Sequence, residues 1–163
     1  MNDSNNVQDS VHTENKLVIT KITNQQQLDD ASSVRQEVFV KEQGVAADRE
    51  YDEFDSLTAE ADHVVVYDGT IPVGTGRVRL LDYSGPTAKL ERICVLEEYR
   101  QYGLGRLIVD ELERLGKARG AHQAMLNGQT QAEPFYIRLG YKTVSEVFLE
   151  EGIPHVKMVK SLG

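Results

Sequence analysis

Arg100, Gly103 and Gly105, with Gln101, Tyr102 and Leu104 between them and Arg106 after them, make up the string R-Q-Y-G-L-G-R. Its chemistry would be anion binding. Two glycines open backbone torsions closed to other residues and let a ligand come close to the main chain, so that consecutive N–H groups converge on one point. A helix starting there would add the positive end of its dipole, and the natural ligand is then a phosphate or pyrophosphate. A Walker sequence needs G-x-x-x-x-G-K-[ST], which does not occur, and Gly74-Thr75-Gly76 lacks the third glycine of a dinucleotide fingerprint. Nucleotide hydrolysis and nicotinamide binding fall away.

The elements that must position this socket follow from periodicity. Leu17 to Ile22 reads as a strand, and Gln25 to Glu42 as a helix capped by Asn24, with Leu28, Ala31, Val34 and Val38 on one stripe. His63–Tyr67 and Ile71–Leu81 read as strands joined at Asp68 and Gly69, a hairpin signal, and Asp82–Thr87 turns the chain into a third strand, Ala88–Val95. The glycine string comes next, opening a helix that carries Leu104, Leu107, Ile108, Leu112 and Leu115 and stops near Gly120. A strand at Gln123–Gly128, a short helix at Gln131–Leu139 closed by Gly140, and a hairpin of Lys142–Leu149 with His155–Lys160 around Gly152 and Pro154 complete the order. This predicts an α/β (α+β) mixed sheet, mostly antiparallel, in which the strands before and after the long helix run parallel, with the glycine string at their shared end, where ligands of such sheets bind.

The 163 residues fit one domain, here expected over residues 16–163, preceded by a loose polar tail over residues 1–15. The tail has no basic start followed by an apolar run, and no stretch is long and apolar enough to span a membrane, so a cytoplasmic protein is expected. With 26 acidic against 18 basic residues the formal charge is −8, which disfavours nucleic acid as a partner. One cysteine, Cys94, excludes an internal disulfide, and His12, His63, His122 and His155 show no zinc-ligand spacing, so no metal is expected. Acidic residues crowd Glu42–Asp62 with only Arg49 among them; they form either a solvated loop or a wall for a cationic substrate.

With these residues in place, the chain resembles the GNAT superfamily of N-acetyltransferases, whose acetyl-CoA motif Q/R-x-x-G-x-G/A is matched by Arg100, Gly103 and Gly105. A second string, Phe135-Tyr136-Ile137-Arg138-Leu139-Gly140-Tyr141, resembles the family's F-Y-x-x-L-G-[FY] run. Val34–Gly44, Glu91–Val95 and Gly152–Met158 look like the ElaA-like and YjcF-like subgroup, and the likeness covers Leu17 to Lys160. It implies a sheet flanked by helices with its parallel strand pair splayed at the cofactor site, and acetyl-CoA as cosubstrate, its pyrophosphate held by backbone N–H groups of Gln101–Arg106 with Arg100 and Arg106 supplying charge. The pantetheine arm would lie along Ile93, Cys94 and Val95, near Asn127 and Phe135. Homodimers are common in the family, through terminal hairpins.

The resemblance also assigns chemistry. Tyr136 would protonate the leaving thiolate, the other reading being a core aromatic. The attacking amine must lose a proton, and many relatives place a glutamate at E-L-x-R for this; here that position is Lys89, so Glu91, two residues on, could replace it. Strict alternation puts Glu91 on the face of Lys89, Ile93 and Val95. The alternative is that Glu91 pairs with Arg77 or Arg79. Asn127 either touches pantetheine or water, or caps the next turn. Cys94 reads as an apolar filler and not a nucleophile, and His63 and His155 as core or hairpin histidines before bases. The expected function is direct acetyl transfer to a primary amine of a small molecule, peptide or protein. The alternatives are a non-catalytic CoA sensor and a longer-chain acyltransferase, since Val34–Gly44 also resembles a helix of acyl-homoserine lactone synthases.

Overall fold

The computed structural model describes residues 17–81 and 86–163. The expected tail (1–15) and Asp82–Gly85 of the expected turn lie outside the described residues. Strand β1 (Leu17–Lys21) leads to helix α1 (Gln25–Arg35), where the Asn24 side chain accepts from the Gln27 N–H at 2.9 Å and so caps the helix as expected. The helix then widens into a π-helical segment, Gln36–Glu42, closed by Gln43 N–H donating five residues back to the Val38 carbonyl. A short helix α2 (Ala47–Glu50) precedes the meander β2 (Asp62–Asp68), β3 (Ile71–Leu80) and β4 (Thr87–Val95). A 3₁₀ turn (Glu97–Tyr102) and Gly103 lead into the long helix α3 (Leu104–Ala118). Then follow β5 (Gln123–Gln129), α4 (Glu133–Arg138), β6 (Lys142–Thr143), β7 (Phe148–Glu150) and β8 (Ile153–Ser161).

The strands make one sheet in the order β1-β2-β3-β4-β5-β8-β6, with β7 also on β8. Only β4 and β5 are parallel. Both sheet faces are covered, which is why β2 carries three successive buried valines. Val64 and Val66 meet α3, while Val65 packs with Leu28 and Ala31 of α1. Gly76 is dictated by this packing: a Cβ there would lie 2.7 Å from Ile108 Cγ2 and 2.8 Å from a Leu112 methyl carbon.

Three local expectations are corrected. The β2–β3 turn is Gly69–Thr70, because Asp68 already pairs with Ile71. The strand expected over Lys142–Leu149 is two pieces, interrupted where Ser145 Oγ takes the Lys157 N–H at 2.8 Å. Pro154 lies in β8, and the turn before it is made by Glu151 and Gly152, both at positive φ.

Candidate functional site

The parallel pairing of β4 with β5 stops almost at once: Thr87, Ala88 and Lys89 pair with Gln123, Ala124 and Met125, and beyond them the strands part. Between the parted strands opens a cleft of about 490 Å³. The glycine turn, the π-helical segment and the β7–β8 hairpin all contribute to its lining.

At the glycine turn the backbone has the torsions the sequence demanded. Gly103 has φ +73° with open space where a Cβ would be, so conformation and not crowding requires glycine there. The N-terminus of α3 has no side-chain cap and no acidic residue in its first turn, so its leading N–H groups keep their donor capacity. Gly105 has a second role. A Cβ on it would stand 3.0 Å from Phe135 Cζ, so the two motifs read separately in the sequence touch each other here. Arg100, Gly103 and Gly105 line the cleft. The side chains of Gln101, Tyr102, Leu104 and Arg106 do not: Leu104 is in the core, Tyr102 packs on Tyr99, and Arg106 lies 3.9 Å from Asp110. What these four can offer the site is main-chain N–H groups.

Arg100 is engaged. Its guanidinium forks onto Glu42 at 2.7 and 2.9 Å and donates through Nε to the Val95 carbonyl at 3.0 Å. The cation expected beside the pyrophosphate thus already has a carboxylate from the π-helical segment.

Strand β4 carries the correction with the widest consequence. Arg92 has φ +58°, and the pairing with β3 slips between Thr75 and Arg77. This bulge inverts the alternation. Ile93 and Val95 face the main core under α3, whereas Cys94 packs with Val34 and Val38 below the α1 side. Glu91 shares the face of Cys94 and not, as strict alternation predicts, that of Ile93 and Val95. Its Oε1 accepts from Arg77 Nη2 (2.7 Å), Arg77 Nε (2.9 Å) and Arg79 Nε (2.8 Å), and Lys89 Nζ lies 3.5 Å from Oε2. Burial pushes its carboxyl up, but the Arg77 charge, the Arg79 hydrogen bond and the Lys89 charge outweigh this and hold it below the usual range. The pairing left open by the sequence is the one present, and a carboxylate so held is a weak proton acceptor.

The acidic stretch is resolved by the same ions. Glu50, Asp52 and Asp55 are neither a solvated loop nor an exposed wall, because arginines from three other elements neutralise them. Arg35 of α1 binds Glu50 (2.8 Å) and Asp55 (2.5 Å), and Arg77 of β3 binds Asp52 (2.8 Å) and Asp55 (3.0 Å). Arg92 of β4 reaches Glu50 at 3.4 Å. Burial raises Asp55, yet the Arg35 hydrogen bond and charge, with help from the Asp52 N–H and Arg77, bring it to about 2. Arg35 and Arg77 are almost fully buried. No sequence signal marked Arg35, which sits on the apolar stripe of its helix.

On the far side of the slot, α4 places Tyr136. Its ring packs edge-on against Phe135 (centroids 5.0 Å apart) and Tyr141 (5.9 Å), and against Gly128 of β5. Its hydroxyl has no hydrogen bond among the described residues, none of which holds a fully enclosed unsatisfied polar side-chain atom, so the oxygen opens to the cleft that Tyr136 lines. Burial raises the phenol to about 12 and keeps it protonated at neutral pH. Cys94 is buried and its thiol pushed well above the ordinary range by burial, which suits a filler. Asn127 lines the cleft and donates to Glu150 Oε1 at 3.1 Å, a contact with the β7–β8 hairpin in place of a turn cap. His63 is tied to the Phe54 carbonyl (2.8 Å). His155 lines the cleft, a position the sequence did not reveal. No group of residues suited to a metal ion occurs among the described residues, and none of their helices is long and apolar enough to cross a membrane.

Against known proteins, residues 20–162 match the model of the acetyltransferase (GNAT) domain. The Bacillus subtilis (strain 168) protein named as uncharacterized N-acetyltransferase YjcF is 51% identical over 146 residues, covering 89% of this chain and 99% of that one. The fold matches Escherichia coli ElaA with a TM-score of 0.78 at 23% identity, over 89% of this chain and 99% of that one. It also matches an aminoglycoside 6'-N-acetyltransferase complexed with coenzyme A, with a TM-score of 0.68 at 18% identity over 89% and 97% of the two chains. The parted β4 and β5, the left-handed glycine opening α3 and the aromatic pair packed against it therefore occur in a chain that belongs to the GNAT family of acetyltransferases.

Proposed function

We propose that this chain transfers the acetyl group of acetyl-CoA directly to a primary amine of a small molecule, peptide or protein. The observation that carries the reading is the Tyr136 hydroxyl: a phenol kept protonated by burial, without a hydrogen-bond partner among the described residues, lining the cleft where β4 and β5 part. Main-chain N–H groups of Gln101–Arg106 would receive the diphosphate, and Ile93, Cys94 and Val95 would offer the free edge of β4 to the pantetheine arm, near Asn127 and Phe135. Such an edge has unpaired N–H and C=O groups, and an amide-bearing arm can add to it as a strand does.

In this reading the amine lone pair attacks the thioester carbonyl carbon, the C–N bond forms, the C–S bond breaks, and the thiolate takes the Tyr136 proton. The ammonium proton leaves to a base in the cleft. Glu91, bound to three cations, is better suited to holding the Asp52–Asp55 loop against β4 than to receiving that proton. The high thiol pKa of buried Cys94 supports transfer without an acetyl-cysteine intermediate.

The test is incubation of the protein with acetyl-CoA and pooled primary amines, following free thiol and acetylated amine together. Amine-dependent thiol release, one thiol for each amide formed, is expected. Binding of acetyl-CoA without release across a broad library would refute turnover, and markedly tighter binding of octanoyl-CoA would refute the acetyl group.

A further inference from the structure

We propose that His155 of β8 is the base that takes the proton from the acceptor amine; this rests on the acetyl-transfer reading above. The ring is nearly buried, stacks on Phe148 (centroids 6.1 Å apart, 26° between planes) and lines the cleft. Its Nδ1 lies 2.6 Å from the Ile153 carbonyl oxygen. A carbonyl oxygen only accepts, so Nδ1 carries a hydrogen, and the neutral ring keeps its lone pair on Nε2. Nε2 makes no hydrogen bond among the described residues, and none of these hides an unsatisfied polar side-chain atom, so this nitrogen opens into the cleft.

Glu150 Oε2 stands 3.5 Å from Nε2, too far for a good hydrogen bond to the neutral ring yet near enough to stabilise the imidazolium formed on proton capture. Asn127 Nδ2 fixes that carboxylate through its other oxygen at 3.1 Å. The other carboxylates that line the cleft are paired with arginines: Glu42 with Arg100, Glu50 with Arg35, Glu91 with Arg77 and Arg79, Glu151 with Arg49.

Position agrees with role. His155 pairs with Gln129 across β5 and β8, so the two share one sheet face, and Gln129 reaches Gln43 beside the π-helical segment at 2.9 Å. Tyr136 packs on Gly128, which pairs with Val156 at the neighbouring position and so presents the opposite face. Acid and base thus stand on opposite faces of the sheet beside the opening, so that the amine can approach from one face while the thiolate leaves toward the other.

The full chain is tested in two ways. Long-range proton–nitrogen correlation on the ¹⁵N-labelled protein is expected to show the His155 hydrogen on Nδ1; a hydrogen on Nε2 alone overturns the assignment without any variant having to fold. Kinetically, His155→Gln is expected to lose about a hundredfold or more in kcat toward strongly basic alkylamines, with acetyl-CoA affinity unchanged within about twofold. Its loss toward weakly basic amines such as aniline or methoxyamine, already unprotonated at neutral pH, is expected to stay under about tenfold. Equal losses for both amine classes, or wild-type rates in the variant, overturn the base. A wild-type protein that binds acetyl-CoA but acetylates no amine would overturn the transfer reading itself, and the base with it.

Discussion

Tyr136→Phe deletes one oxygen and nothing else. The phenol is 8% exposed, and its ring holds Phe135, Tyr141 and Gly128 through contacts a phenylalanine retains. Because the hydroxyl has no hydrogen-bond partner among the described residues, its loss strands no donor or acceptor there, and stability should change by less than about 0.5 kcal/mol. The chemical cost is separate. If the thiolate departs without a positioned acid, kcat should fall by about a hundredfold, or roughly 2.7 kcal/mol in the barrier. Acetyl-CoA affinity should not change, since the groups proposed to face its phosphates are main-chain amides on another element. The assay is thiol release at saturating acetyl-CoA with an accepted amine, beside calorimetric titration of the same variant with CoA and a thermal melt. A variant with wild-type kcat refutes Tyr136 as the acid. One that loses kcat and CoA affinity in equal measure shows the tyrosine to be a packing residue of the cofactor wall.

Three further outcomes follow from the fold and its charges. Gly76→Ala drives a methyl to within 2.7 Å of Ile108 and 2.8 Å of Leu112, and should cost about 1–3 kcal/mol with a fall of several degrees in Tm; an unchanged melt would contradict the tight α3–β3 packing. Glu42→Gln removes a carboxylate from Arg100 beside the expected anion site, so CoA should bind about two- to fivefold more tightly at low salt, the gain shrinking as salt rises; weaker binding would mean that Glu42 orients the guanidinium for its ligand. Asp55 sits at about 2 in the folded chain against an ordinary 3.8, a depressed carboxyl, so its contribution is complete above the unfolded value and is lost as pH falls from about 4 to about 2. With Asp52, Asp62 and Glu91 lowered in the same direction, acid melts should decline through that window, and Asp55→Asn should flatten the decline by on the order of 2 kcal/mol; a melt indifferent to pH there would contradict the ion network.

Much of this arrangement was legible in the residues. The glycine string, the long amphipathic helix after it and the meander before it are short-range signals, and each produced its element within a residue or two. The relation of β4 to β5 followed because two strands joined through a helix must run parallel. What could not be read was non-local. Nothing in L-E-R-I-C-V announces that Arg92 takes a left-handed torsion, yet that one residue decides which face Glu91 occupies. The acidic stretch looked unneutralised because its partners, Arg35, Arg77 and Arg92, lie on three elements far along the chain. The π-helical widening at Gln36–Glu42 keeps the apolar spacing of an ordinary helix, so periodicity does not separate the two. His155 was hidden for a simpler reason: a histidine opening a terminal strand gains its meaning only when the hairpin folds it over the cleft.

The central claim is that the main-chain amides of residues 101–106 grip the diphosphate of coenzyme A. Amide chemical-shift mapping of the ¹⁵N-labelled chain during titration with CoA, and with dephosphorylated pantetheine as control, tests it most directly. Large shifts are expected at Gln101–Arg106 with CoA that are absent with pantetheine, while Ile93–Val95 respond to both. Saturable CoA binding that leaves Gln101–Arg106 unmoved, or no binding by the folded chain, would contradict it.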